Sequence, residues 1–280
     1  MPMNWRHGIM AAALLVALPA SAQEGAAPKP GAEPLQVSLS PYGWATSLDG
    51  HTGVRGYRAK VDVDFQDVLD NLNGAVMLEL DVRKGDYQLV LNTVLAQLED
   101  DAASTNDRIK VKATVNELIQ DVYAGYWVGG FALGESGWGW ERTDSGAENR
   151  IALMPYGGVR YTYLEGELDG KLDLERTGRS DSRTASQSKQ WATPIAGLRA
   201  NVRLGGAWEL LLQGDIGALS TSDNYTWQGM GVLGWRFGLG GKDNAYLLAG
   251  YRYLDQKYVD GGFEWDVTTK GPIVGLTIQF

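Results

Sequence analysis

Along the second half of the chain, apolar and polar residues alternate one by one. In "WATPIAGLRANVRL", Ala192, Ala196, Leu198, Ala200, Val202 and Leu204 share one face of an extended strand, and Thr193, Gly197, Arg199, Asn201 and Arg203 share the other. "AWELLLQGDIGAL" sets Trp208, Leu210, Leu212 and Ile216 against Glu209, Gln213 and Asp215, and "NYTWQGMGVLGWRF" sets Tyr225, Trp227, Leu233, Trp235 and Phe237 against Thr226, Gln228 and Arg236. "AYLLAGYRYLDQKY" places Leu247, Ala249, Tyr251 and Tyr253 opposite Arg252 and Gln256, and the terminal "GPIVGLTIQF" keeps Pro272, Val274, Leu276, Ile278 and Phe280 on one side. Turn-like clusters divide the first half into further strands at 36–46, 55–64, 74–83, 87–98, 109–128, 149–165 and 167–176, so the spacing predicts about twelve strands in all, within a range of about 8 to 14. Phase is lost near Asn116–Leu118, which predicts a bulge or a hidden turn.

One stretch has a different period. In "FQDVLDNL", Phe65, Val68, Leu69 and Leu72 fall at i, i+3, i+4 and i+7, with Asp64 as N-cap, which predicts a short amphipathic helix near residues 65–72. Two roles suit it: a constriction or plug in a barrel lumen, or a helical connection covering the barrel's end.

Alternation alone does not say which face is inside, since a soluble barrel would bury the apolar set. The chain's beginning bears on this. Arg6, the run "GIMAAALLVALP" and Ala20-Ser21-Ala22 read as a secretory signal over residues 1–22, cleaved near Ala22. Residues 23–34, "QEGAAPKPGAEP", read as a flexible leader, and 35–280 as a single barrel. No stretch approaches the roughly 18 to 20 apolar residues of a spanning helix, so a membrane location requires strands. The signal, the aromatics at strand ends and the lack of other segments to cover so many apolar faces favour an antiparallel transmembrane β-barrel with its polar face in the lumen. The reading is thus all-β, in the outer membrane of a Gram-negative bacterium. Counting twelve strands back from an inner C-terminus makes the tight "KGD" at 84–86 an outer loop and "DDAASTND" an inner turn, the reverse of the usual asymmetry.

Composition narrows the chemistry. There is no cysteine, so disulfides and thiolate metal sites are excluded. Loss of Arg6 with the signal takes the formal charge from −9 to −10, which argues against nucleic acid as a partner. The 37 Gly, 10 Trp and 13 Tyr suit a barrel with aromatic rims.

Trp191-x-x-Pro194-x-x-Gly197-x-Arg199, Gly250-Tyr251-Arg252-Tyr253, Gly271-Pro272 with Gly275-Leu276, the final Phe280 and the "DVLDNL" helix together resemble a group of uncharacterised, porin-like outer-membrane β-barrel proteins of proteobacteria. The resemblance is strongest after residue 190. It implies contact with outer-membrane lipid and lipopolysaccharide, and assembly by the barrel-insertion machinery, with Phe280 as the assembly signal. It brings no substrate and no catalytic residues.

Candidate chemistry follows from the inward charges. Arg58, Lys60, Asp62, Asp64, Glu79, Asp81, Arg83, Arg160, Glu167 and Asp173 belong to this set, and later Arg199, Arg203, Glu209, Asp215, Arg236 and Arg252. The arginines at 199, 203, 236 and 252 form either a basic ladder that favours small anionic solutes or pairs with Glu209 and Asp215 that stiffen the wall. Trp138 and Trp140, in the long loop 129–148, are a second candidate constriction. A narrow passive channel for small hydrophilic solutes leads, with a closed structural or surface-interaction barrel as the alternative. An outer-membrane lipid enzyme using His51 is a third reading. It is disfavoured because no nucleophile motif accompanies that histidine, so no enzyme, cofactor or metal site is expected.

Overall fold

The computed structural model describes residues 34–54, 57–103, 109–128, 130–132, 149–174, 179–220, 224–240 and 242–280. The predicted signal at 1–22 lies outside the described residues, as does the leader apart from Pro34. The alternating segments are strands: β1 (Leu35–Trp44), β2 (Ser47–Val54), β3 (Tyr57–Val63), β4 (Leu72–Lys84), β5 (Tyr87–Ala103), β6 (Ile109–Tyr126), β7 (Gly130–Ala132), β8 (Asn149–Leu174), β9 (Arg179–Gly205), β10 (Trp208–Ser220), β11 (Asn224–Leu239), β12 (Lys242–Asp260) and β13 (Phe263–Gln279), with one helix, α1 (Phe65–Asp70), between β3 and β4.

Ten of these strands, β1, β4, β5, β6 and β8 to β13, hydrogen-bond in that order, and β1 pairs with β13 to close the ring. All pairings are antiparallel. The short β7 carries β6 on along β8, with Gly125 facing Tyr156 and Gly130 facing Ala152. β2 and β3 are bonded outside the ring. β1 and β2 keep a single register along β13, Trp44 facing Ile273 and Ser47 facing Lys270, so β2 is β1 continued past a break at Ala45 and Thr46.

The barrel and its helix are as the sequence predicts, but two boundaries move. Residues 47–54, where "LDGHTG" looks like a turn, are strand β2. Residues 149–165 and 167–176, expected as two strands, are the single β8, which runs through Gly166 in unbroken register with β9. Joining them changes the parity of every earlier strand. The 85–86 turn therefore lies at the same end as Phe280, with the turns at 206–207 and at Gly240. Gly85, Gly206 and Gly240 adopt positive φ in these turns. The other end carries the β2–β3 hairpin and the long upper halves of β8 and β9. Outer-membrane barrels put their tight turns inside and their extensions outside, so the usual asymmetry is restored; only the 127–148 connection departs from it. No bulge interrupts β6 either: its register is continuous through Asn116–Leu118 with both neighbours.

The faces follow the environment. In the belt, Leu198, Leu212, Ile216 and Val274 are exposed on the outside of the ring, while Arg199, Gln213, Asp215 and Arg252 are buried inside. A closed ring with an apolar exterior and a polar interior satisfies its backbone within lipid. Aromatic pairs mark the belt's rims: Trp227 with Tyr253 at one level, Trp235 with Phe237 and Tyr87 with Tyr126 at the other. Trp227 and Trp235 are separated by about 27 Å of strand, roughly 20 Å along the membrane normal at barrel tilt, comparable to the apolar band of such barrels.

Beyond the outer rim the same strands exchange faces. On β13 the outward Val274 and Leu276 give way to Glu264, Asp266 and Thr268, while Val267 is buried inside. On β8 the outward Val159 and Tyr161 give way to Glu165 and Glu167, with Leu164 buried inside. Water outside replaces lipid, so the polar residues turn outward. This corrects the expectation that Glu167 faces the lumen. Arg58, Lys60 and Asp62, expected inside, lie on β3 outside the ring and are exposed.

Asp64 caps α1 as predicted, accepting from the Asp67 N–H at 2.9 Å. The helix follows β3 at the outer end, where the β1–β4 ladder stops at Pro41 opposite Leu78. Val68 is the buried residue of the helix, while Phe65, Leu69 and Leu72 are exposed.

A Cβ at Gly271 would stand 1.8 Å from the Ala45 carbonyl oxygen, where β1 passes into β2. Gly271→Ala should therefore destabilise the barrel by about 1–3 kcal/mol, read from urea unfolding in detergent micelles. Leu198→Arg should cost about 2–4 kcal/mol of folding free energy into lipid vesicles. Insertion as efficient as wild type would mean that the faces are reversed.

Candidate functional site

A ring of ten strands lies near the narrow end of the range in which inward side chains fill the lumen rather than leave it open. Here three arginines do the bridging. Arg160 on β8 is completely buried and makes a two-pronged bond to Asp121 on β6, Nε to Oδ1 at 2.8 Å and Nη2 to Oδ2 at 3.0 Å. Its Nη1 stands 3.1 Å from Asp215 Oδ1 on β10 and donates to the Thr226 hydroxyl on β11 at 2.9 Å. Arg199 on β9 crosses to β4, where Nη2 meets Glu79 at 2.6 Å and Nη1 meets Asp81 at 2.9 Å. Arg252 on β12 donates to Gln228 at 2.9 Å, to the Tyr42 hydroxyl and Asn92 at 3.3 Å each, and reaches Asp121 on the opposite side of the ring at 3.5 Å.

Neutral groups complete the shell. Tyr156 donates to Asp215 at 2.9 Å, Gln228 donates to the same carboxylate at 3.1 Å, and Gln213 accepts from Arg199 and Tyr123. The Arg252 guanidinium lies 4.6 Å from the centre of the Trp44 ring. Buried charge is tolerated only when paired and hydrogen-bonded, and two-pronged arginine–carboxylate contacts supply that. Three guanidiniums face four carboxylates (Glu79, Asp81, Asp121 and Asp215), so the network carries one excess negative charge.

The lumen is filled outward of this network. Gln256 donates to Thr162 at 2.8 Å, both buried, and Trp191 stacks on Tyr258 with ring centres 4.6 Å apart. Inward of it the lumen opens. A cavity of about 220 Å³ runs from Arg199, Asp81 and Gln228 at its roof to Gln36, Glu209 and Gln279 at the inner mouth.

Of the candidate pore-lining residues, Arg199, Asp215 and Arg252 are in the network. Arg203, Glu209 and Arg236 lie at the inner mouth, where Arg203 stands 3.6 Å from Glu209 and Arg236 bonds the Gly206 carbonyl. The arginines form no ladder: neutralisation runs across the lumen, and only Arg203 pairs with its neighbouring strand as expected. Trp138 and Trp140 lie outside the described residues. Phe280 is exposed at the end of β13, its N–H bonded to the Val37 carbonyl at 2.9 Å. Among the described residues no cluster of His, Asp and Glu is arranged to hold a metal ion. Asp121, Gln213, Gln228, Asn92 and Tyr42 were not singled out as site residues. For Asp121 the usable signal was its phase with Tyr123 on β6.

The motif residues now have physical roles. A Cβ at Gly197 would meet the Tyr156 ring at 2.5 Å, so this glycine makes room for a network member, and Trp191 and Arg199 seal successive levels of the lumen.

A closed antiparallel ring with lipid-facing apolar residues and a charge-paired interior defines an outer-membrane β-barrel protein. No family model matches the sequence, and no curated protein matches it. Among solved structures, the outer membrane protease OmpT from Escherichia coli matches with a TM-score of 0.51 at 10% identity, over 92% of this chain and 99% of that one. The attachment invasion locus protein Ail of Yersinia pestis matches at 0.30 and 14% identity, over 89% and 99% of the two chains. The translocator domain of the autotransporter NalP from Neisseria meningitidis matches at 0.33 and 14%, over 88% of each. The first of these likenesses shows the fold alone, and the other two are too loose to support an argument.

Arg160→Met should leave Asp121 and Asp215 short of a partner in a dry interior. The expected loss is about 3–5 kcal/mol in urea unfolding, well above that of an exposed ion pair.

Proposed function

We propose that this barrel holds its lumen shut and acts through the surface that its strands build outside the membrane, as a structural or surface-interaction protein. The observation that carries this reading is Arg160, fully buried and tied to carboxylates of β6 and β10, with Arg199 and Arg252 spanning the same lumen. Hydrated solutes have no path past such a layer unless its ion pairs part. The outer extension is substantial. β8 and β9 are 26 and 27 residues long, whereas about 9–11 span a membrane, and about 11 residues of each stand above the aromatic rim, roughly 35 Å along the strand. The β2–β3 hairpin adds to this surface, and Arg58 hydrogen-bonds Glu264 across to β13, which holds that carboxyl below the usual carboxylate range.

The passive-channel reading draws its support from the inner cavity, whose mixed charges suit a small hydrophilic solute; it requires the network to open. We also take the protein to be non-enzymatic. His51 sits exposed on β2, opposite Asp266 and Lys60 in the ladder, and the neighbouring Thr52 hydroxyl is given to the Glu264 carbonyl. Lipopolysaccharide and outer-leaflet lipid are the proposed surroundings, and the exposed Phe280 the group read by the insertion machinery.

In a planar bilayer the folded wild-type protein should give no discrete conductance steps. A variant with Arg160, Arg199 and Arg252 all replaced by alanine, its folding checked by heat-modifiable migration on gels, should give them. Stable steps from the wild type would establish the channel reading instead. His51→Ala should leave folding and any lipid hydrolysis by the preparation unchanged.

A further inference from the structure

The inner cavity is asymmetric in charge, and the asymmetry lies along one strand. At its roof, Glu79 and Asp81 of β4 share the single guanidinium of Arg199. Asp81 uses only Oδ1 in its bonds, accepting from Arg199 Nη1 and from Gln88 at 2.5 Å. Its Oδ2 has no partner among the described residues. Two residues along the same inward face, about 7 Å away by strand geometry, is Arg83. Arg83 is turned toward the mouth: Nε donates to the Gly85 carbonyl at 2.8 Å, and the guanidinium lies 5.3 Å from the centre of the Trp127 ring. The Nη1 and Nη2 groups of Arg83 make no bond to any described residue. Trp127 is itself fixed, its Nε1 donating to Gln88 at 2.8 Å.

The wall between these poles is mixed, with apolar surface from Leu211, Val232 and Leu248, the carboxylate of Glu209 at the mouth, and neutral polar groups. Ser38, Tyr246, Asn201 and Gln36 line it from β1, β12 and β9. Gln88, Gln213 and Gln228 at the roof are buried and held by the network, so the surface is preformed. At about 220 Å³ the cavity is smaller than the roughly 300–1,000 Å³ of pockets for drug-sized ligands, which limits an occupant to a compact molecule.

We propose that this cavity is a binding site for a small zwitterion of amino-acid size entering from the inner side, its ammonium group at Asp81 and Glu79 and its carboxylate on the free edge of Arg83. An ammonium group supplies the positive charge that the roof lacks, and a carboxylate matches the paired Nη donors of a guanidinium. The site shares Glu79 and Asp81 with the inner edge of the network and does not depend on whether the lumen conducts.

The test is isothermal titration calorimetry on the refolded protein in detergent, with three probes of similar size: L-serine, lactate, which lacks the amine, and ethanolamine, which lacks the carboxylate. Serine should bind at least about tenfold more tightly than either of the others. Asp81→Asn should remove the advantage of serine over lactate while keeping its advantage over ethanolamine, and Arg83→Gln should do the reverse. Each variant's folding is checked by its heat-modifiable migration on gels. Equal affinity for the three probes, or no heat from any of them with the wild type, would overturn the proposal. So would serine binding that Arg83→Gln leaves unchanged in a folded barrel.

Discussion

Everything inside this barrel depends on neutralising guanidinium groups that water does not reach. A ring of ten strands is too wide for short apolar side chains to meet at its centre and too narrow for a bulk-like water column. Arginine, with a long stem and a planar five-donor head, spans that gap, provided that carboxylates wait on the far wall. Arg199 finds them on β4 and Arg252 reaches Asp121 on β6, while Arg160 is neutralised on its own side of the ring by Asp121, directly opposite it on β6, and by Asp215 on β10. The same contacts that make burial affordable also lie across the lumen, so in the proposed closed barrel stability and closure share one cause. The small residues near the network, Gly197 against Tyr156 above all, are what allow the long side chains to lie across.

The outside of the barrel obeys a different constraint, and one strand can obey two in succession. Within the belt, β8 and β13 turn apolar residues to lipid. Beyond the aromatic rim they turn Glu165, Glu167, Glu264 and Asp266 to water and bury Leu164 and Val267. The side-chain period never changes; only the solvent does. The barrel therefore joins a membrane-spanning lower part to an upper part built like a soluble β-protein, and the boundary falls within single strands.

This explains which features were legible in the sequence. Alternation was unambiguous in the stretches of β9 to β13 that lie within the belt, where Arg199, Asp215 and Arg252 are buried on the inward face. The stretch of β8 that passes the rim was harder, because polar and apolar residues exchange faces there, which resembles a loss of phase or a turn. Gly166 strengthened that illusion on β8, as did "LDGHTG" on β2. The partners in the network were not legible at all. Arg199 meets Glu79 and Asp81 across more than a hundred residues of sequence, and alternation gives a residue's face but not what stands opposite. The helix was visible from its period, but its place beside the ring depends on where the β1–β4 ladder ends, which is a tertiary fact.

A pair of double-mutant cycles shows whether the network is dry and bridges the lumen. One cycle removes Arg199 and Glu79, the other Arg203 and Glu209, with stability read from urea unfolding. The second pair is partly exposed at the mouth and serves as the internal reference. The bridging pair should show a coupling of about 1.5 kcal/mol or more, in the range of close, desolvated charges, against about 0.2–1 kcal/mol for the mouth pair. Equal, small couplings would mean that water fills the lumen at Arg199, and that the barrel is not held shut by its ion pairs.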